Sequence, residues 1–206
     1  MPPRPRPRNR GRRSAHRDPR STFLVICGGR ETEVQYVDHI RASLRLQSVT
    51  IKHRGSGDTP DRLVREASAE TDGFDQVWVV CDVDNYQTQV MDASAEAART
   101  GVNLAVSNPC FEIWLVWHRE TNNSGITIRQ AQERASVLGL THGKNNKFLK
   151  EAEIRGHYAQ ARSRAQAVRA AHARNSLVLP NNVPSSDVDL LIDAIIEAEG
   201  TSAADL

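Results

Sequence analysis

Two carboxylates separated by one residue close an apolar run, Gln76-Val77-Trp78-Val79-Val80-Cys81-Asp82-Val83-Asp84. In an extended chain, residues two apart project to the same side, so Asp82 and Asp84 can converge on one hard cation. Oxygen-only ligation suits Mg²⁺ or Mn²⁺, which need few protein ligands and keep several waters. A strand ending in solvated turn residues has the same appearance, because Asp is a common turn former, and a bare Asp-x-Asp is a weak signal. A third carboxylate, Glu33, follows Gly28-Gly29-Arg30-Glu31-Thr32. It falls in the first turn of a predicted helix, where the dipole favours an acid with or without a metal. A fourth, Glu112, lies in a stretch from Ser107 to His118 that is apolar almost all round and therefore expected to be buried. An unpaired buried carboxylate is costly or becomes neutral, so Glu112 needs a metal, an arginine or a helix N-terminus. His118, near the end of the helix, is of a kind more often used for capping or packing than for ligation.

The elements that must position these groups alternate. Thr22–Cys27 and the run ending at Asp82 read as strands buried on both faces, the signature of a parallel sheet. Ligands of open α/β sheets bind at the carboxyl ends of such strands. Gly28 and Gly29 permit a tight turn and close backbone approach. Thr32 and Gln35 then have the form of a capping box, and Val34, Val37, Ile40 and Leu44 recur at helical spacing. Ser48 to Arg54 is a predicted strand, and Gly55-Ser56-Gly57-Asp58-Thr59-Pro60 a loop, before a helix from Pro60 or Asp61 to about Thr71. A helix from about Gln87 to Thr100, ended by Gly101, precedes a strand over Val102–Val106. This alternation predicts an α/β layer with a mostly parallel sheet.

From Ile126 onward the chain reads as helices, about Ile128–Val137, Glu153–Ala173 and Asp187–Ala198, with Ser186 as N-cap of the last. The middle one carries Arg155, Arg162, Arg164, Arg169 and Arg174. With the basic loop His142–Lys147 it forms either a phosphate-contacting face or an ordinary solvated one.

Length and composition set the bounds. A chain of 206 residues fits one domain with a small appendage. Residues 1–20 hold eight of the 27 Lys and Arg and one of the 25 acidic residues, so the remainder is acidic, 19 against 24. This Arg/Pro segment has nothing to bury and is expected to be disordered, either holding phosphates through counterion release or serving as a solubilising extension. The basic pI thus says nothing of the domain surface. No apolar stretch approaches a membrane span, and the N-terminus lacks a secretory h-region. Cys27, Cys81 and Cys110 show no paired spacing, which points to buried reduced thiols in a cytoplasmic protein.

Four motifs together resemble the RloB-like family over roughly residues 21–198: Leu24-Val25-Ile26-Cys27-x-Gly29-x-x-Thr32-Glu33, Trp78-x-x-x-Asp82-x-Asp84, Ser107-Asn108-Pro109-Cys110-Phe111-Glu112-Ile113-Trp114-Leu115-x-x-His118 and Asn182-x-Pro184-Ser185-Ser186-x-Val188. Such proteins look like compact relatives of the Toprim fold of topoisomerases, primases and overcoming-lysogenisation-defect nucleases. They are encoded near restriction systems, which implies a part in defence against phage. The resemblance implies an α/β, Toprim-like open and mostly parallel sheet flanked by helices, as one domain over 21–206 with a helical part from about 126. It implies Asp82 and Asp84 as metal ligands, Glu33 as ligand or catalytic carboxylate, and Glu112 and His118 as further site residues. The family's usual glutamate after the first strand, which matches the Toprim catalytic acid, is here Gly28.

The expected function is a Mg²⁺- or Mn²⁺-dependent phosphodiesterase or nuclease of antiphage defence. The rivals are a catalytically attenuated module that binds nucleic acid or a partner ATPase, and a structural α/β domain that merely binds Mg²⁺. The sequence holds no P-loop, so an ATP-driven step needs another protein.

Overall fold

The structure is a computed structural model and describes residues 21–53 and 58–206. The expectations for residues 1–20 and for Gly55-Ser56-Gly57 lie outside the described residues. A five-stranded sheet runs in the order β2 (Val49–His53), β1 (Phe23–Cys27), β3 (Gln76–Asp82), β4 (Asn103–Asn108) and β7 (Ser185–Ser186). The first four strands are mutually parallel, and only β7 runs antiparallel, against Ser107 and Asn108. The central strands are apolar without alternation because helices cover both faces. Phe23, Val25, Cys27, Trp78 and Val80 pack on one side with α1 (Thr32–Ser43), α4 (Glu112–Arg119) and the C-terminal helices. Leu24, Ile26, Val77, Val79 and Cys81 pack on the other with α2 (Pro60–Ser68) and α3 (Gln87–Thr100).

The C-terminal part is largely helical, with α5 (Ile128–Val137), α6 (Glu151–Ile154), α7 (Tyr158–Arg174) and α8 (Val188–Glu199). It also holds a two-stranded hairpin, β5 (Thr141–His142) and β6 (Phe148–Leu149), which the sequence does not announce. The helix expected over Glu153–Ala173 is broken at Gly156, which adopts φ +76°, a conformation that glycine takes without strain, and donates to Leu206 O at 2.6 Å. Ser186 is not the cap of the last helix. It sits in β7, Asp187 holds the cap position, and the Ser186 hydroxyl meets that of Ser107 at 3.2 Å.

The arginines of α7 are corrected most. Arg162 binds Asp193 at 2.7 Å, Arg169 binds Asp189 at 2.5 Å and Asp187 at 3.1 Å, and Arg164 donates to the Trp117 carbonyl. These three bind helices to one another and are not a free phosphate-contacting face. All seven residues from Glu112 to His118 are buried, as their composition predicts. Among the described residues no helix is long and apolar enough to cross a membrane.

Candidate functional site

The strand order turns outward from β1 in one direction to β2 and in the other to β3, so the topological switch point lies between β1 and β3. Open α/β sheets bind ligands in the crevice at that point. Cys27 pairs with Val80 in the register, so the Gly28-Gly29 turn leaves the sheet beside Cys81 and Asp82. Gly28 N donates to Val80 O at 2.9 Å, which fixes the turn against the Asp82 strand. A cleft of about 380 Å³ opens there, and Gly28, Gly29, Glu33, Asp82, Asp84 and Lys147 are among its lining residues.

Each carboxylate is placed by its own element. Asp82 ends β3, and its carboxylate faces the Phe111 backbone amide at the start of α4. Asp84 stands two residues on at φ +40°, with its amide donating to Pro109 O at 2.9 Å. Val83 N likewise donates to Ser107 O at 2.9 Å, so the Ser107-Asn108-Pro109 turn clamps the Asp-x-Asp segment. Glu33 lies buried in the first turn of α1. A Cβ on Gly29 would overlap the Glu33 carboxylate, so a side chain here would displace Glu33 from its present position.

Crowding these acids raises their proton affinity. Burial lifts the Asp82 carboxyl well above its ordinary range, and Glu33, Asp84 and Glu112 push it the same way. Asp84 is raised by burial and then by Glu112. Glu33 is raised to about 7, by burial first and by Glu112 and Asp84 in smaller measure, against the opposing pull of its own backbone amide and of Lys147. Burial alone would depress the Lys147 ammonium, but Glu112, Glu33 and Asp82 outweigh it and hold its pKa above normal. Lys147 Nζ stands 3.4 Å from Glu112 Oε1.

Among the described residues no group of three or more His, Cys, Asp or Glu side chains is placed to hold a metal ion. The donors at hand nevertheless suit a hard ion. Asp82 Oδ1 and Asp84 Oδ1 are shielded from solvent and lack any hydrogen-bond partner, although buried polar atoms are seldom left unpaired. One or two carboxylates supplemented by water is the usual protein share of a Mg²⁺ shell.

The structure thus brings Glu33, Asp82 and Asp84 to one cleft, with Glu112 behind them on Lys147. It does not bring His118. That imidazole is buried, lies 3.2 Å from the Tyr36 hydroxyl and 3.0 Å from Trp114 O, and packs edge-on against the Trp114 ring. Burial pulls its pKa down to about 3, so the ring is neutral and holds α4 against α1. All three cysteines are free and buried. Sequence reasoning noted Lys147 only as part of a basic loop. Its place in the cleft depends on the hairpin, which hangs on α1: Thr32 Oγ1 donates to Lys147 O at 2.9 Å, and Leu149 N donates to Gln35 Oε1 at 2.9 Å. Thr32 and Gln35, predicted to form a capping box, therefore make long-range bonds instead, and the N-cap of α1 is Glu31 without a side-chain cap.

This is an α/β protein with an acidic cleft at the switch point of a mostly parallel sheet. The sequence model of the RloB-like protein family matches residues 23–195, and the chain belongs to that family. No curated protein matches the chain.

Proposed function

We propose that this RloB-like protein is a divalent-metal-dependent phosphodiesterase acting on nucleic acid in bacterial defence against phage. The observation that carries the reading is the pair of shielded, unpartnered oxygens on Asp82 and Asp84 at the switch-point cleft. Asp82 and Asp84 hold Mg²⁺ or Mn²⁺. When bound, the ion supplies Lewis acidity toward phosphoryl oxygens and a more acidic water. Glu33, lining the same cleft, is the neighbouring carboxylate placed to share in holding the ion or to move a proton there. Lys147, charged and lining the same cleft, supports phosphate oxygens as a point charge. Glu112 keeps Lys147 in place from behind. The defence role rests on the kinship with restriction-linked proteins that the four motifs carry.

Gly28 favours a second reading, an attenuated module that binds nucleic acid or a partner ATPase. A Cβ at Gly28 would lie 3.0 Å from Cδ1 of the buried Leu63, 3.5 Å from Val80 O and 3.8 Å from Cys81 Cβ, so a side chain can enter beside the Asp82 strand only if Leu63 gives way by a few tenths of an ångström. A panel of DNA, RNA and tRNA incubated with Mg²⁺ or Mn²⁺ separates the readings. Wild type is expected to cut at least one substrate, Asp82→Asn none, and Gly28→Glu faster than wild type. Cleavage that persists in EDTA or in Asp82→Asn contradicts the proposal. Cleavage by Gly28→Glu alone makes the natural protein the attenuated module.

A further inference from the structure

Resting on the nucleic-acid reading above, we propose that the β5–β6 hairpin is a stacking platform for an unpaired base, so that the substrate is single-stranded at the cleft. The hairpin segment Thr141-His142-Gly143-Lys144-Asn145-Asn146-Lys147-Phe148-Leu149-Lys150 contains three lysines and no acid. Phe148 is 40% exposed and belongs to neither core cluster. The His142 ring lies beside it, with centroids 5.9 Å apart and planes tilted by 49°. Gly143, at φ +74°, is the position that lets the ring lie so close, because a Cβ there would run into Phe148. An isolated exposed phenylalanine needs no explanation. This one is held by a neighbouring ring and a glycine, and it directly follows the lysine that lines the acidic cleft.

Rigid support completes the case. The hydrogen bonds from Thr32 and to Gln35 fasten the hairpin to α1, the helix that also carries Glu33. A strand whose phosphate meets Lys147 in the cleft therefore passes the Phe148 face at a fixed offset from the carboxylates. Proteins that bind single strands combine basic residues tracking the backbone with aromatic faces on which bases stack. Bases inside a duplex are already stacked and do not reach such a face. Lys144, exposed at the tip, adds a further phosphate contact.

The test is fluorescence anisotropy in EDTA with a labelled mixed-sequence oligonucleotide, as single-stranded DNA, single-stranded RNA and duplex. Phe148→Ala is expected to weaken single-strand binding about 5- to 100-fold and duplex binding by less than about twofold, with Phe148→Tyr close to wild type. Lys144→Gln should lower the salt slope by about one on both strands. The inference is overturned if wild type binds no single strand, if Phe148→Ala binds it as tightly as wild type, or if single-strand and duplex binding fall together. Melting temperature should not change, since Phe148 lies outside both cores. Divalent titration of the same variants separates this inference from the metal reading. Metal binding with Phe148-independent strand affinity overturns only the platform. Phe148-dependent strand affinity without metal binding overturns only the metal site.

Discussion

In EDTA at about pH 8, Glu33→Gln should be more stable than wild type by about 3 kcal/mol, and near pH 4 the two should be equal. Glu33 is buried, and its pKa rises from 4.5 to about 7 on folding. Below 4.5 both states hold the proton, so the site costs nothing. Between 4.5 and 7 the unfolded chain ionises while the folded one keeps its proton, so stability falls as pH rises. Above 7 the whole cost is present, and a shift of this size corresponds to about 3 kcal/mol. Glutamine mimics the protonated acid and removes the Glu33 share of the dependence, leaving that of Asp82 and Asp84. Adding Mg²⁺ at high pH should restore wild-type stability, because a ligand that binds only the folded, ionised site stabilises it by mass action. Denaturant unfolding of both proteins across the pH range reads this directly. Parallel pH profiles would mean that Glu33 is not held in a crowded acidic site.

Arg169→Met is expected to cost about 3 kcal/mol, the lower end for breaking a buried ion pair because the arginine is partly exposed. Its guanidinium meets Asp189 at 2.5 Å, Asp187 at 3.1 Å and the Ser186 carbonyl at 3.0 Å. Asp189 is fully buried, so losing Arg169 strands a carboxylate in the core between α7 and α8. In a domain of this size the melting temperature should drop by about 6–12 °C. Adding Asp189→Asn should recover much of the loss, because the uncompensated charge is the main cost. An unchanged melting temperature for Arg169→Met would show that the pair contributes nothing net.

The parts legible in the sequence were those with a local physical signature. A strand buried on both faces has no polar alternation, so β1 and β3 stood out, as did Asp82 and Asp84 at the end of the latter. The Gly101 stop of α3 was equally plain, and that residue adopts φ +76°. What stayed hidden depended on distant partners. Strands β5 and β6 have two residues each, too few for periodicity, and their position is set by Thr32 and Gln35 more than 110 residues away. The same dependence misled the capping-box reading, since Thr32 and Gln35 are spent on the hairpin. A true box of the same spacing forms at Thr127 and Gln130, where no tertiary partner competes. The arginines of α7 read as a solvated or phosphate-binding face because the partners of Arg162 and Arg169 lie on α8, as Asp189 and Asp193, or at its cap, as Asp187. Lys147 joined the site only through the hairpin, while the adjacency of β1 and β3, which brings Glu33 to Asp82, is a matter of topology.

Calorimetric titration of Mn²⁺ and Mg²⁺ into wild type and Asp82→Asn tests the central claim most directly. Wild type is expected to bind a divalent ion with an affinity that strengthens as pH rises, because burial and mutual repulsion raise the proton affinity of Asp82 and Asp84 and protons compete with the ion for these carboxylates. Asp82→Asn should lose that binding while keeping its fold. Absence of divalent binding by wild type, or equal binding by Asp82→Asn, would contradict a metal site at Asp82 and Asp84.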